Sequence, residues 1–135
     1  MKQEKHFNQW LTKQFYETFD KHITVQRIET TTGNGVPDLL VLTQDSTWLI
    51  ESKFETTNLR AEQKAWQMKV NAKKPNAFVL TLCAYPKTQR FVVQQYGVRD
   101  WCVEEDFFEP IVNQEFALNY KGFKLFIKYF SDPVA

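Results

Sequence analysis

Gly35-Val36-Pro37-Asp38-Leu39-Leu40-Val41-Leu42-Thr43-Gln44-Asp45-Ser46-Thr47-Trp48-Leu49-Ile50-Glu51-Ser52-Lys53 is the stretch on which the reading of this chain turns. Two apolar runs flank the polar Thr43-Gln44-Asp45-Ser46, a pattern that predicts neighbouring strands joined by a tight hairpin. Each run carries charge that a plain buried strand would lack: Asp38 opens the first, and Glu51 and Lys53 lie inside the second. A two-residue turn at Gln44-Asp45 sets Thr43 against Ser46 and Asp38 opposite Glu51. A three-residue turn would set Asp38 opposite Ser52, and either register keeps the carboxylates close, since directly opposed Cβ atoms lie roughly 5 Å apart. By alternation Glu51 and Lys53 share one side with Leu49, while Trp48, Ile50 and Ser52 point to the other. Carboxylates this close repel unless a cation sits between them. Mg²⁺ suits such a pair, because one or two carboxylates with water and substrate phosphate complete its shell. The plain alternative is a set of solvated strand residues. Two features weigh against it. The second strand is apolar around its charges, and Pro37 belongs at a strand start, edge or bulge, so Asp38 sits at an irregular opening where a side chain is readily re-aimed.

Gly35-Val36-Pro37-Asp38 followed by Glu51-Ser52-Lys53 resembles the signature of the PD-(D/E)xK nuclease superfamily. Within it the chain looks most like the virus-type replication-repair nucleases (VRR-NUC) and small phage-type Holliday-junction resolvases. The resemblance covers about residues 1–82; residues 83–135 have no counterpart. It implies an α/β protein with a restriction-endonuclease-like core, a mixed central sheet flanked by helices, that hydrolyses DNA phosphodiesters with Mg²⁺ or Mn²⁺. Carried over, Asp38 and Glu51 are metal ligands and Ser52 adds its backbone carbonyl. Lys53 is then the catalytic base or an electrostatic partner of the developing phosphorane. Branched DNA such as a four-way junction is the implied substrate. A nuclease for nicks, flaps or duplex ends is one alternative; a catalytically silent relative that binds nucleic acid or protein is another.

With 135 residues the chain is expected to form one domain. Its twelve Phe, five Tyr and four Trp supply ample core material. No signal peptide and no apolar run of about 20 residues is visible, so a cytoplasmic protein is expected. Cys83 and Cys102 lack metal spacing and read as reduced buried thiols. A net charge of +1 gives no general support for nucleic-acid binding, but its distribution is uneven. Residues 56–75 hold Arg60, Lys64, Lys69, Lys73 and Lys74 against Glu62, whereas residues 100–115 hold six acids and no Lys or Arg. The basic segment directly follows the Glu-x-Lys strand and suits a phosphate-contacting face, with Arg27 as a further contact. A solvated helix face is the plain reading of the same residues.

From Gln3 to Phe19, Phe7, Trp10, Leu11, Phe15 and Phe19 recur at helical spacing. Glu4 falls among them, on the inward face, and Glu17 on its edge. A carboxylate there wants a partner, the plain alternative being a frayed terminus where Glu4 simply reaches water. The resembled family often completes its metal site with an acid on the first helix, which makes Glu4 the choice ahead of Glu17 and Glu29. Ile23, Val25 and Ile28 have strand character, and Thr30 to Gly35 reads as a polar turn. A helix capped by Thr57 or Asn58 should run to about Ala72, with Leu59, Gln63, Trp66 and Val70 as its sheet-facing stripe. By resemblance Gln63 helps position water or phosphate; a satisfied core amide is the alternative. Ala77–Leu82 and Arg90–Tyr96 read as strands, the former parallel to its neighbour. Trp101 to about Val112 looks helical. Phe116–Phe130 reads as a hairpin turning at Asn119-Tyr120-Lys121-Gly122, with Phe123, Leu125, Ile127 and Tyr129 alternating. Dimerisation, DNA wedging and extra core are all open to this aromatic end. A homodimer is the expectation chosen, because cutting both strands of a symmetric substrate wants two related sites.

Overall fold

The structure is a computed structural model and describes residues 1–19, 22–28, 36–71, 76–97 and 110–131. In chain order its elements are α1 (Glu4–Phe19), β1 (Thr24–Arg27), β2 (Leu39–Leu42), β3 (Thr47–Phe54), α2 (Ala61–Asn71), β4 (Ala77–Tyr85), β5 (Arg90–Gln95), β6 (Val112–Ala117) and α3 (Tyr120–Ser131). Among the described residues the strands form one six-stranded sheet in the order β1-β2-β3-β4-β5-β6. Pairing is antiparallel except between β3 and β4, which run parallel with α2 as the crossover. The molecule is thus an α/β protein with a mixed sheet flanked by helices.

The central hairpin closes through the two-residue turn. Leu42 pairs with Thr47, and the Thr43 N–H donates to the Ser46 carbonyl at 2.9 Å. Thr43 Oγ1 accepts the Ser46 N–H at 2.9 Å and the Asp45 N–H at 3.3 Å, so the turn's own polar groups are satisfied locally.

Strand alternation divides the sheet into two unlike faces. Trp48, Ile50, Leu80, Leu82, Phe91 and Val93 project to one side, where Phe7, Leu11 and Phe15 of α1 and Phe123, Phe126 and Ile127 of α3 cover them in one apolar cluster. Trp48 is fully buried there, with Phe15, Phe78, Phe126 and Phe130 around it at centroid separations of 4.4 to 6.2 Å. The opposite face carries Glu51, Val79 and Thr81 and meets α2. This second seam is polar. Gln67 Nε2 donates to Thr81 Oγ1 at 2.9 Å, and Asn71 Nδ2 donates to the Val79 and Tyr96 carbonyls. The Val79 N–H donates back to Asn71 Oδ1 at 3.1 Å. The expected stripe of Leu59, Gln63, Trp66 and Val70 is therefore corrected: Gln63 and Gln67 are buried, while Trp66 and Val70 are half-buried. The amides win because the strands beneath them offer backbone and hydroxyl partners. The start of α2 also differs. Instead of Thr57 or Asn58, Gln63 caps it by turning back to accept the Arg60 N–H at 2.9 Å, the Gln half of a capping box.

The C-terminal hairpin is the largest correction. Val112–Ala117 is a strand, but Tyr120–Ser131 is a helix. Phe123, Phe126, Ile127 and Phe130 lie at i, i+3, i+4 and i+7 and pack inward, while Leu125 and Tyr129 are exposed. Asn119 does not turn a hairpin; its Oδ1 accepts the Gly122 N–H at 2.8 Å and its carbonyl accepts the Phe123 N–H, the pattern of an N-cap. Gly122 is needed for closeness, since a Cβ there would lie 2.0 Å from the Ala117 carbonyl oxygen. Residue 82 lies within β4, and strands and helix from beyond it share the cluster with α1. The helix expected from Trp101 falls outside the described residues up to residue 109, and its last residue, Val112, opens β6. Among the described residues no helix is long and apolar enough to cross a membrane.

Candidate active site

β3 ends by placing Ile50, Glu51 and Ser52 in succession in buried positions, followed by half-buried Lys53. Glu51 is only 6% exposed. Beside it, Pro37 is buried and Asp38 stands at a bend just before β2. The Asp38 N–H donates to the Ile50 carbonyl at 3.0 Å, whereas its own carbonyl accepts the Ile28 N–H at 2.7 Å from the β1 side. In a regular strand the N–H and C=O of one residue serve the same neighbour, so the backbone twists at Asp38. The twist lets the side chain reach along β3, where Oδ2 accepts the Ser52 N–H at 3.0 Å. Regular register alone would have set Asp38 against Glu51; the bend sets its carboxylate against the peptide that follows Glu51.

Glu51 is held through one oxygen. Gln63 Nε2 donates to Oε1 at 2.6 Å, and Lys53 Nζ lies 3.9 Å from the same atom. Ser52 donates its hydroxyl to Asn8 Oδ1 on α1, which ties the β3 terminus to the first helix. Burial pushes the Glu51 carboxyl up to about 7; the Asp38 charge and, less strongly, Glu4 add to the rise, while Lys53 and Arg60 oppose it. Asp38 is raised by burial against the pull of the Ser52 amide, Lys53 and Arg27. Glu4, exposed in the first turn of α1, is raised by partial desolvation and by Asp38, with Lys53 and Arg27 opposing. All three carboxyls thus hold protons more tightly than in water, chiefly because burial penalises their charged forms by more than the nearby cations favour them. A divalent ion would reverse that balance. Among the described residues no three Asp, Glu, His or Cys side chains gather closely enough to hold a metal unaided. The hard oxygen groups that could contribute to a divalent-ion site here are the Asp38 and Glu51 carboxylates, a donor type that Mg²⁺ and Mn²⁺ take.

The site thus brings together Asp38, Glu51, Ser52, Lys53 and Gln63, with Glu4 and Arg27 at its margin. Glu17 does not join; it is exposed and pairs with Lys13 at 4.0 Å. Of the basic residues around α2, Arg60 lies 4.0 Å from Glu62 and within electrostatic reach of Glu51. Lys64 lies over the Tyr96 ring, 5.6 Å from its centroid, and Lys69 is exposed in the last turn. Glu29, Lys73, Lys74 and Cys102 lie outside the described residues. Cys83 is a buried free thiol that donates to the Thr56 carbonyl at 3.0 Å. Sequence reasoning missed Asn8, whose signal was its position one turn beyond Glu4, and Gln67 and Asn71, which extend the Gln63 row by i+4 and i+8.

Compared with models of known protein families the chain matches none, and a search of curated proteins returns no match.

Proposed function

We propose that the protein is a divalent-metal-dependent endonuclease with a restriction-endonuclease-like core that hydrolyses DNA phosphodiesters, with branched DNA such as a four-way junction as substrate. One observation carries the reading: the buried Glu51 carboxyl, raised to about 7, stands beside Asp38 with Lys53 3.9 Å from it, at the carboxyl end of the parallel strand pair. Open α/β sheets place their sites at such strand ends. Asp38 and Glu51, with the Ser52 carbonyl, would hold Mg²⁺ or Mn²⁺, and Glu4 would lie at the edge of the shell. When bound, the ion lowers the pKa of an attacking water and polarises the phosphate. Lys53 supplies positive charge where the phosphorane oxygens develop theirs. Gln63 keeps Glu51 in one rotamer, and the Ser52 amide does the same for Asp38. Two related cuts on a symmetric junction call for a homodimer.

The test is cleavage of a labelled four-way junction, matched duplex and single strand with Mg²⁺, Mn²⁺ or EDTA. Metal-dependent cutting of the junction that disappears in Glu51→Ala and Asp38→Ala is the expected result. Cutting of linear substrates alone would keep the chemistry and discard the junction. Binding without cleavage, and without a metal-dependent thermal shift, would leave a silent DNA-binding protein.

A further inference from the structure

A groove between α1 and β1 opens beside the proposed site and shares Asn8 and Arg27 with its margin. Lys5, Asn8 and Thr12 of α1 form one wall; Val25 and Arg27 of β1, with Leu39 of β2, form the floor and the other wall, enclosing about 390 Å³. The groove meets the margin of the site, since Arg27 acts electrostatically on Asp38 and Glu4. Asn8 holds the Ser52 hydroxyl, and Leu39 is the residue after Asp38. Among the described residues β1 is one of the two outer strands of the sheet.

Its chemistry is mixed in a specific way. Half-buried Val25, with the core residue Leu39 beside it, gives an apolar floor, Lys5 and Arg27 give cations along it, and Asn8 and Thr12 add hydrogen-bonding groups. No acidic side chain lines it, and among the described residues neither Lys5 nor Arg27 is in an ion pair. A ligand that matches must carry regular negative charge and flat apolar faces. A single nucleic-acid strand does: its phosphates meet the cations and its unstacked bases lie on apolar surface or on a guanidinium plane. The volume is at the small end of ligand clefts, room for about one or two nucleotides rather than a double helix.

We propose that this groove carries a single nucleic-acid strand, with phosphates against Lys5 and Arg27 and a base over Val25, and leads it to the Asp38–Glu51 pair. The inference rests on the nuclease reading of that pair and names the form of substrate it takes. It also moves the strand path from the basic face of α2 to the other side of the site.

Fluorescence anisotropy tests it with the full chain in EDTA, using a labelled thymidine homopolymer and a duplex of equal length. The variants are Lys5→Gln/Arg27→Gln, Thr12→Phe, which fills the groove without changing charge, and Lys121→Gln/Lys124→Gln on α3 as a control. The double groove variant should lose about tenfold or more in strand affinity and about 1.4 in the slope of log affinity against log salt, since each single-strand phosphate contact contributes roughly 0.7. Thr12→Phe should also weaken the strand, the α3 control should not, and duplex affinity should change much less. Strand affinity unchanged in both groove variants, equal loss on strand and duplex, or no strand binding by the wild type would overturn the groove. The site reading is checked separately by the Mg²⁺- and Mn²⁺-dependent thermal shift and its loss in Asp38→Ala, so either idea can fail alone.

Discussion

Glu51 meets Gln63 and Lys53 through a single oxygen, in a position that water barely reaches. Its folded carboxyl titrates near 7 against an ordinary value of 4.5. Below about pH 4.5 both folded and unfolded chains hold the proton; between about 4.5 and 7 only the folded chain does, so stability falls as pH rises through that window. Asp38 and Glu4 are raised as well and act in the same direction. Calorimetry of the metal-free protein should therefore show a melting temperature that declines from about pH 5 to pH 8, with Glu51 contributing at most about 3 kcal/mol at 1.4 kcal/mol per pKa unit. Glu51→Gln should flatten most of the decline, and Mg²⁺ should raise the melting temperature more at the alkaline end; a rise with pH would contradict the electrostatics of the site. Gln63 has two tasks, accepting from Arg60 and donating to Glu51. Gln63→Leu should cost about 1–2 kcal/mol of stability through the lost cap and hydrogen bond. In the proposed nuclease it should also lower kcat about 10- to 100-fold with less change in KM, as loss of a ligand's orienting partner does. Asp38, Glu51 and Lys53 were legible because an unusual charge in an apolar strand marks itself. Asn8 was not: its partner Ser52 is 44 residues away, and its place one turn beyond Glu4 does not name that partner.

At the scale of elements, the turn chemistry of Thr43–Ser46 and the helical spacing of α1 could be read directly, because local bonds and one clean period decide them. α3 could not, because its aromatic row satisfies two periods at once. Phe123, Leu125, Ile127 and Tyr129 alternate like a strand, and the aromatic content favours β structure. What decides is the Asn119 cap and the row Phe123, Phe126, Ile127 and Phe130, which alone matches the exposed apolar face of the sheet. The two readings predict opposite mutational costs. Phe126→Ala should lose about 3–5 kcal/mol by urea denaturation, while Leu125→Ala should stay within about 0.5 kcal/mol; the reverse order would restore the hairpin. Gly122→Ala should be as damaging as Phe126→Ala, because the obstructing atoms at Ala117 are backbone and cannot rotate away. α2 misled in another way. Its docking face is amide rather than apolar, and hydrophobic patterning cannot find a seam made of Gln67, Asn71, Thr81 and Val79.

For the whole molecule, the α/β class followed from strand and helix patterns, but the division of labour between faces did not, since it depends on which long-range partner each face receives. One face is an aromatic interior shared by α1 and α3, and the other is a hydrogen-bonded seam that carries the candidate chemistry. The sheet order repeats the chain order from β1 to β6 without a skip. A ribosome would therefore deliver each strand next to one already made, and the sheet could grow vectorially. α3 emerges after all six described strands, so a nascent chain that has reached Ala117 has those strands but lacks the helix that helps cover Trp48 and Phe91. A fragment ending at Ala117 should bind a hydrophobic dye and a chaperone that the full chain ignores, and adding the segment from residue 118 onward should release both. Synthesis of α3 is thus the step that covers the aromatic face of a sticky nascent sheet.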